Sequence, residues 1–588
     1  MRVTLAIQTT LSGMNGALSL PNNTCQFRVW APGVRQMALR LIGGGDHGMT
    51  PEPGGYFSLI VPARPGDRYF YLPEGHKPVP DPVSRLLPEG VHGPTEIVDS
   101  EDFTWSDASW RGLPLAGYIV YELHVGTFTP MGTFDGVIER LEYLKHDLGV
   151  TVLELMPVAA FPGERNWGYD GVSPYAVQAS YGGPSGLKRL VDAAHRIDLG
   201  VILDVVYNHL GHEGNYLRAF GPYFTARHQT PWGEAINYDD HGSEGVRRYV
   251  VENALYWIRE YHLDGLRLDA IQTIQDDSER HILAEVQDEV QSLARELGRA
   301  VSVIAETDEN DARLIRPVTS RGYGLDAQWS DDFHHAVHAT LTGERQRYYQ
   351  DFGDLSQIVR ALNEGFVFQG EFFRYWNKTR GTSSAGLPME SHVICLQNHD
   401  QVGNRAQGER WSELVPIAQR KAAAALMLLA PHTPLLFMGE EYDESAPFLY
   451  FTSYGDPALA RAVREGRKKE FEDFTGADVP DPQDPATFAR SKLRWNLAGD
   501  GNEMLRWYRA LIDLRKRYVL PGERSCRAEL LGENAILMQV PAREPKIQLL
   551  AEFAPAQRQW TPGKDWRLAL WNDEKECAVT VYTPSEGA

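Results

Sequence analysis

With 588 residues, 43% of them hydrophobic and 23% charged, the chain has material for about three domains, each with a core of its own. A formal net charge of −21 disfavours nucleic acid and anionic lipid surfaces, and the longest apolar run, 422–430, is far short of a membrane span, so a neutral ligand fits best. Four cysteines without CxxC spacing, and a start ("MRVTLAIQTTLSG") with too short an apolar core for a signal peptide, lead to the expectation of a reduced, cytoplasmic protein.

From residue 24 to about 102, short alternating runs ("TCQFRVW", "QMALRLI", "YFSLIV", "DRYFYL") are separated by Gly and Pro clusters, which predicts a small antiparallel β-sandwich over 1–105. After residue 117 the texture changes to apolar strands alternating with helical spacing. The strands are "YIVYELHV", "VTVLELM", "VILDVV", "GLRLDAI", "VSVIAE", "HVICL" and "PLLFM"; helical segments such as Leu187, Leu190, Val191 and Ala194 lie between them. This alternation predicts an α/β fold, a parallel (β/α)₈ barrel over 106–504; no GxGxxG supports a doubly wound sheet. Beyond about 505 the helical pattern fades into "AILMQV" and "IQLLAEF", the expected C-terminal antiparallel β domain (505–588), and the charged, proline-rich 464–500 reads as a surface excursion.

Barrel active sites lie at the C-terminal ends of the strands, so the polar residues there carry the chemistry. "LDVVYNH" supplies Asp204, Asn208 and His209, "GLRLDAI" supplies Arg267 and Asp269, "VIAETDEND" supplies Glu306, and "LQNHDQVGN" supplies His399 and Asp400. Arg267 and Asp269 emerge on one strand face, opposite Leu266 and Leu268; alone, that pair fits a structural ion pair as well as a functional one. A catalytic metal lacks support, because there is no HExxH, no His pair at i, i+4, and an arginine stands beside Asp269. No cofactor is expected. Acid–base chemistry on a glycosidic bond needs one carboxylate ionised and a second protonated at the same pH. Arg267 favours the charged form of Asp269, the expected nucleophile; Glu306, near that charge and away from the arginine, is the expected general acid with a raised pKa.

These four segments, in order and at strand ends, resemble the signature segments of the α-amylase superfamily of glycoside hydrolases. The resemblance implies a retaining mechanism in which Asp269 forms a glycosyl-enzyme intermediate, Glu306 acts as acid and then base, and Asp400 holds the distorted sugar. It also implies that His209, Arg267 and His399 contact that sugar, and that Asp204 and Asn208 brace the mouth or a calcium-binding loop. In "NWGYDGVSPYAVQASYGGP" (166–184), Tyr169 is the expected platform under the sugar ring; Tyr175 and Tyr181 read as loop packing, and Trp167 fits either role.

Beyond these segments, "ELHVGTFTPMGTFDGVIERL", "ELMPVAAFPGERNWGYDGV", "TPWGEAINYD" and "PFLYFTSYGDPALARAVREGRKKEF" resemble the maltooligosyltrehalose trehalohydrolase family, which cleaves the α-1,4 bond next to the terminal trehalose of maltooligosyl trehalose. The partner implied is that substrate and related α-glucans. The resemblance implies a cleft lined by Arg267, Leu268, Ala270, Ile271 and Gln272, by Asp331, Asp332, Phe333, His334 and His335, and by His399, Gln401, Val402, Gly403 and Asn404. Gln272 stands where the family is expected to carry His, and Trp232 either covers the trehalose end or packs its loop. Glycogen branching enzyme is the alternative enzyme, although its first and fourth segments differ. A non-catalytic carbohydrate-binding barrel is the other alternative, against which stand all three acids.

Overall fold

The computed structural model describes residues 15–99, 101–472, 479–497, 502–554, 560–574 and 577–585. The signal-peptide question at 1–13 and parts of the 464–500 excursion lie outside the described residues.

Two four-stranded antiparallel sheets form the N-terminal part. One orders Gly16–Leu20, Thr24–Trp30, Tyr56–Pro62 and Thr50–Glu52; the other orders Gly45–Gly48, Met37–Leu41, Arg68–Pro73 and Thr95–Glu96. Alternation in Thr24–Trp30 turns Cys25, Phe27 and Val29 inward, and Phe27 meets Tyr69 of the other sheet edge-on at 4.9 Å, so the sheets pack as a sandwich.

Eight parallel strands then close a barrel: β1 (Val120–Leu123), β2 (Val152–Leu155), β3 (Gly200–Val205), β4 (Gly265–Leu268), β5 (Ser302–Ala305), β6 (Ala327–Trp329), β7 (His392–Cys395) and β8 (Thr433–Phe437). Seven of them coincide with the apolar runs read from the sequence. The eighth, β6, is three residues long ("AQW") and has no run to betray it. Side-chain alternation sorts the bore into layers. Val120, Val152, Ile202, Ile304, Ala327, Val393 and Leu435 make one apolar cluster, and two residues further along their strands come Glu122, Glu154 and Asp204. The bore is thus an apolar plug below and a charged floor above, at the end where the strands finish.

Helices cover the outside. In Gly183–His195, Leu187, Leu190, Val191 and Ala194 are buried on one face and Pro184 sits in the first turn, where its missing N–H costs nothing. The C-terminal sheet orders Arg527–Leu531, Ala535–Val540, Ile547–Glu552, Ala578–Pro584 and Trp566–Asp573, all antiparallel. Helical structure does not fade at 505: a helix over Glu503–Leu514 crosses the expected boundary, burying Leu505, Tyr508 and Leu511, and continues to Val519. We propose that the last domain begins after that helix. The expected surface excursion is partly folded in, since Ser491 Oγ accepts the Leu449 N–H and Trp495 packs edge-on against Phe128. Among the described residues, no helix is long and apolar enough to cross a membrane.

Candidate active site

Arg267 stands at the centre. Its side chain is wholly buried on β4, and Nη1 donates to Asp204 Oδ2 at 2.6 Å and to Asp269 Oδ1 at 3.0 Å, while Nη2 lies 3.4 Å from Glu306 Oε2. The guanidinium also rests 4.3 Å from the centre of the Trp329 ring at the end of β6. One cation therefore serves three carboxyls from three strands.

Asp269 accepts from Arg267 on one oxygen and from Asn208 Nδ2 on the other, at 2.8 Å. Asn208 also donates to the Asp269 carbonyl at 2.6 Å, which fixes both backbone and side chain of that residue. The next residue, Ala270, takes a left-handed conformation, φ +41, that aims its N–H at Glu306 Oε2 at 2.6 Å. The Ala270 N–H and the Arg267 ion pair both fall on Oε2, so the proton of its acid form belongs on Oε1. Burial, reinforced by Asp269, Asp400 and Asp331, pushes Glu306 up to about 8 against the opposing pull of Arg267. The expectation that Glu306 stands away from the arginine is corrected: its pKa is raised by burial despite the cation.

A second chain of contacts runs through His399. The His399 backbone N–H and ring Nδ1 both meet the Glu122 carboxylate, and Nε2 lies 2.7 Å from the Tyr169 hydroxyl and 3.4 Å from Asp400 Oδ2. Burial pulls His399 down, but Asp400 and Glu122 outweigh it and raise it to about 9, so an imidazolium spans the two acids. The Tyr169 hydroxyl donates to Asp204 at 2.6 Å, closing the circuit back to Arg267; burial pushes Asp204 up to about 6 while Arg267 opposes it. Asp400 keeps 42% of its side chain exposed, with Asn404 Nδ2 at 3.1 Å.

His209 is held by the Tyr169 carbonyl at 2.9 Å and by the Asn208 side chain, and the Trp232 indole stacks on it at 4.1 Å with 38% of the tryptophan exposed. Both ring nitrogens of His209 are thus engaged with the protein. Trp167 stacks on Phe448, Tyr175 donates to the Tyr249 carbonyl and Tyr181 bonds His124, which are loop-packing roles.

Several residues expected in the cleft lie elsewhere. Leu268, Ile271 and Val402 are buried in the core because strand or helix alternation turns them away from the mouth. Of the five from 331 to 335, only Asp331 faces the acids, being pushed up to about 7 by burial and then by Asp308 and Asp400. Asp332 is sealed against Arg380 at 2.8 Å and accepts from Asn310 and the Val367 and Phe368 N–H groups. Phe333 is buried, His334 bonds the Leu396 carbonyl and Tyr349, and His335 packs among Tyr348, Tyr349 and Phe352. Gly403 is needed for closeness, since a Cβ there would lie 2.2 Å from the Trp167 ring. Gln401 and Asn404 line a pocket of about 260 Å³ with Arg347, Tyr348 and Tyr349. Gln272 is half-buried and its Oε1 has no protein hydrogen bond.

Glu122 and Trp329 are absent from the sequence-derived set, and Asn208 was there only as a brace. Glu122 had a legible signal, a charge at period two from Val120 inside an apolar run. Trp329 had none, because its strand was not recognised. As to metals, His228, Asp239 and Asp277 are the one grouping of possible ligands among the described residues, and Arg227 already pairs with both acids.

The α-amylase catalytic-domain family matches residues 98–229. A protein of Saccharolobus solfataricus named malto-oligosyltrehalose trehalohydrolase is 48% identical over 89% of this chain and 90% of its own length; one of that name from Deinococcus radiodurans is 46% identical over 85% and 82%. A 1,4-alpha-glucan branching enzyme of Pseudoalteromonas atlantica is only 27% identical, over 75% of this chain. Among solved structures, a putative alpha amylase from Salmonella typhimurium superposes with TM-score 0.89 at 41% identity, covering 97% of this chain and 99% of that one.

Proposed function

This chain belongs to the malto-oligosyltrehalose trehalohydrolase family, and from that premise we propose that Asp269, Glu306 and Asp400 carry out its glycoside hydrolysis. The enzyme is an α-amylase-type glycoside hydrolase; its substrate is maltooligosyl trehalose, cut at the α-1,4 bond next to the terminal trehalose. An Asp269 oxygen bonds to the anomeric carbon as the bond to the trehalose oxygen breaks, and Glu306 gives that oxygen its proton. Glu306, now a carboxylate, takes a proton from water; the water oxygen attacks the same carbon and releases Asp269 with the shortened glucan. Asp400, beside the His399 imidazolium, holds sugar hydroxyls, Tyr169 lies under the ring, and Trp232 covers the leaving trehalose.

The observation that carries this reading is the shared guanidinium. Arg267 meets Asp269 and Glu306 at 3.0 and 3.4 Å, which brings both acids to one guanidinium, as a nucleophile and an acid acting on one bond require. We place the enzyme in the cytoplasm on its scattered, unpaired cysteines. The test offers the purified protein maltooligosyl trehalose and a plain maltooligosaccharide of equal length. Trehalose from the first, released faster than maltose from the second, is expected; maltose from both at equal rates, or new α-1,6 branches, would sink the reading.

A further inference from the structure

Glu154 opens the "ELMPVAAFPG" stretch and sits on β2 with its side chain in the barrel bore, two residues beyond Val152 of the apolar plug. It pairs in register with Glu122 on β1 and with Ile202 on β3, and Asp204 stands two residues beyond Ile202 on that strand. The residue is 1% exposed, and neither of its carboxyl oxygens has a hydrogen-bond partner in the protein. Further buried atoms of the same floor are in that condition, among them Asp204 Oδ1 and Arg267 Nε and Nη2. A buried carboxyl without partners costs several kcal/mol in an apolar interior, and a leucine of similar volume would remove that cost. Four groups face Glu154: Glu122 from β1, Asp204 from β3, Arg267 from β4 and His399 from the loop after β7. With Glu122 and Asp204 taking up the two cations, a third carboxylate would be in excess. Burial, then Glu122, accordingly holds the Glu154 carboxyl well above the usual carboxylate range.

We propose that Glu154 is a positioning residue: a neutral carboxylic acid that, with Asp204 Oδ1 and Arg267 Nε, holds buried water beneath the sugar site and thereby fixes the guanidinium shared by Asp269 and Glu306. A carboxylic acid offers one donor and one acceptor, which lets it bridge through water to a carboxylate oxygen and to a guanidinium N–H alike. An apolar side chain breaks that bridge and lets the guanidinium shift, and displacements of this kind at reacting groups cost roughly a hundredfold in rate per ångström. The inference rests on the reading of Asp269 and Glu306 above.

The test compares Glu154→Gln and Glu154→Leu in the full-length enzyme, measuring kcat, KM and the pH profile on maltooligosyl trehalose together with Tm. The amide also offers a donor and an acceptor, so Glu154→Gln is expected to stay within about threefold of wild type with an unmoved profile. Glu154→Leu is expected to lose kcat roughly tenfold or more, with KM little changed and Tm not lowered, and to move the alkaline limb upward as Glu306 loses part of its cation. Wild-type kinetics in Glu154→Leu with a raised Tm would show only an unsatisfied core acid and overturn the proposal. Equal losses in both variants would overturn it as well, since charge rather than a neutral bridge would then be required. Should the leucine variant fail to fold, a high-resolution crystal structure of the wild type decides: water bonded to Glu154 and to Asp204 or Arg267 is expected, and a dry contact refutes the bridge. Full activity in Asp269→Asn would instead sink the underlying reading.

Discussion

Arg267 makes the site a single electrostatic unit, because a 0% exposed guanidinium holds three carboxyls that solvent does not otherwise stabilise. Asp269→Asn keeps the shape of the side chain but is a poor nucleophile, and it is expected to cut kcat by roughly a thousandfold or more while ligand binding, followed calorimetrically, survives. Glu306→Gln is expected to lose far less on aryl glycosides, whose leaving groups need little protonation, than on maltooligosyl trehalose. With the Glu306 acid raised to about 8, its proton is present below that pH, so wild-type kcat/KM should fall as pH rises through about 8; a flat alkaline side would remove the acid assignment. At this scale the sequence is informative where a charge interrupts a strand: Arg267 and Asp269 are legible by alternation, and Asp204 and Glu306 by their place in or at the end of an apolar run. It was misleading about the distance from Arg267 to Glu306, because that depends on how β4 and β5 turn their side chains across the bore.

Elements explain why some residues were legible and others not. β6 spans three residues between Asp326 and Ser330, too short for periodicity to register, so Trp329 and its contact with the guanidinium are hidden, while the five residues 331–335 that follow are expected in the cleft together. Asp331 opens the helix and reaches the acids, whereas Phe333 turns off that face and His334, one turn further on, is bonded to the Leu396 carbonyl and Tyr349. The turn after β4 depends on a backbone state that few residues other than glycine adopt readily, and Ala270 holds it in order to present its N–H to Glu306. Ala270→Gly is expected to leave activity near wild type and raise stability by at most about 1 kcal/mol, whereas Ala270→Val, which resists that conformation, should lose kcat roughly tenfold or more. Thermal melts and steady-state kinetics on the pair check this, and an active valine variant would count against the turn's role.

On the scale of the molecule, the N-terminal sandwich is keyed into the barrel. Gly33 donates to the Phe220 carbonyl at 3.0 Å, and a Cβ on Gly245, in the helix Ser243–Glu260, would lie 2.1 Å from the Trp30 ring. Gly245→Ala is therefore expected to cost about 1–3 kcal/mol and lower the melting temperature by a few degrees, read by calorimetry; an unchanged melt would mean the interface gives way freely. Which sheets exist was readable from alternating runs, but their docking was not, since it hangs on single glycines with no pattern around them. The seating of the cluster beneath the mouth also sets its response to dissolved ions. Arg267 and His399 keep side chains 0% and 1% exposed, so counterions screen the outer −21 but do not reach the inner pairs. With an uncharged sugar as cargo there is no long-range steering to lose either, and turnover is expected to change less than about twofold between dilute buffer and roughly 1 M sodium chloride. This catalyst carries its own electrolyte.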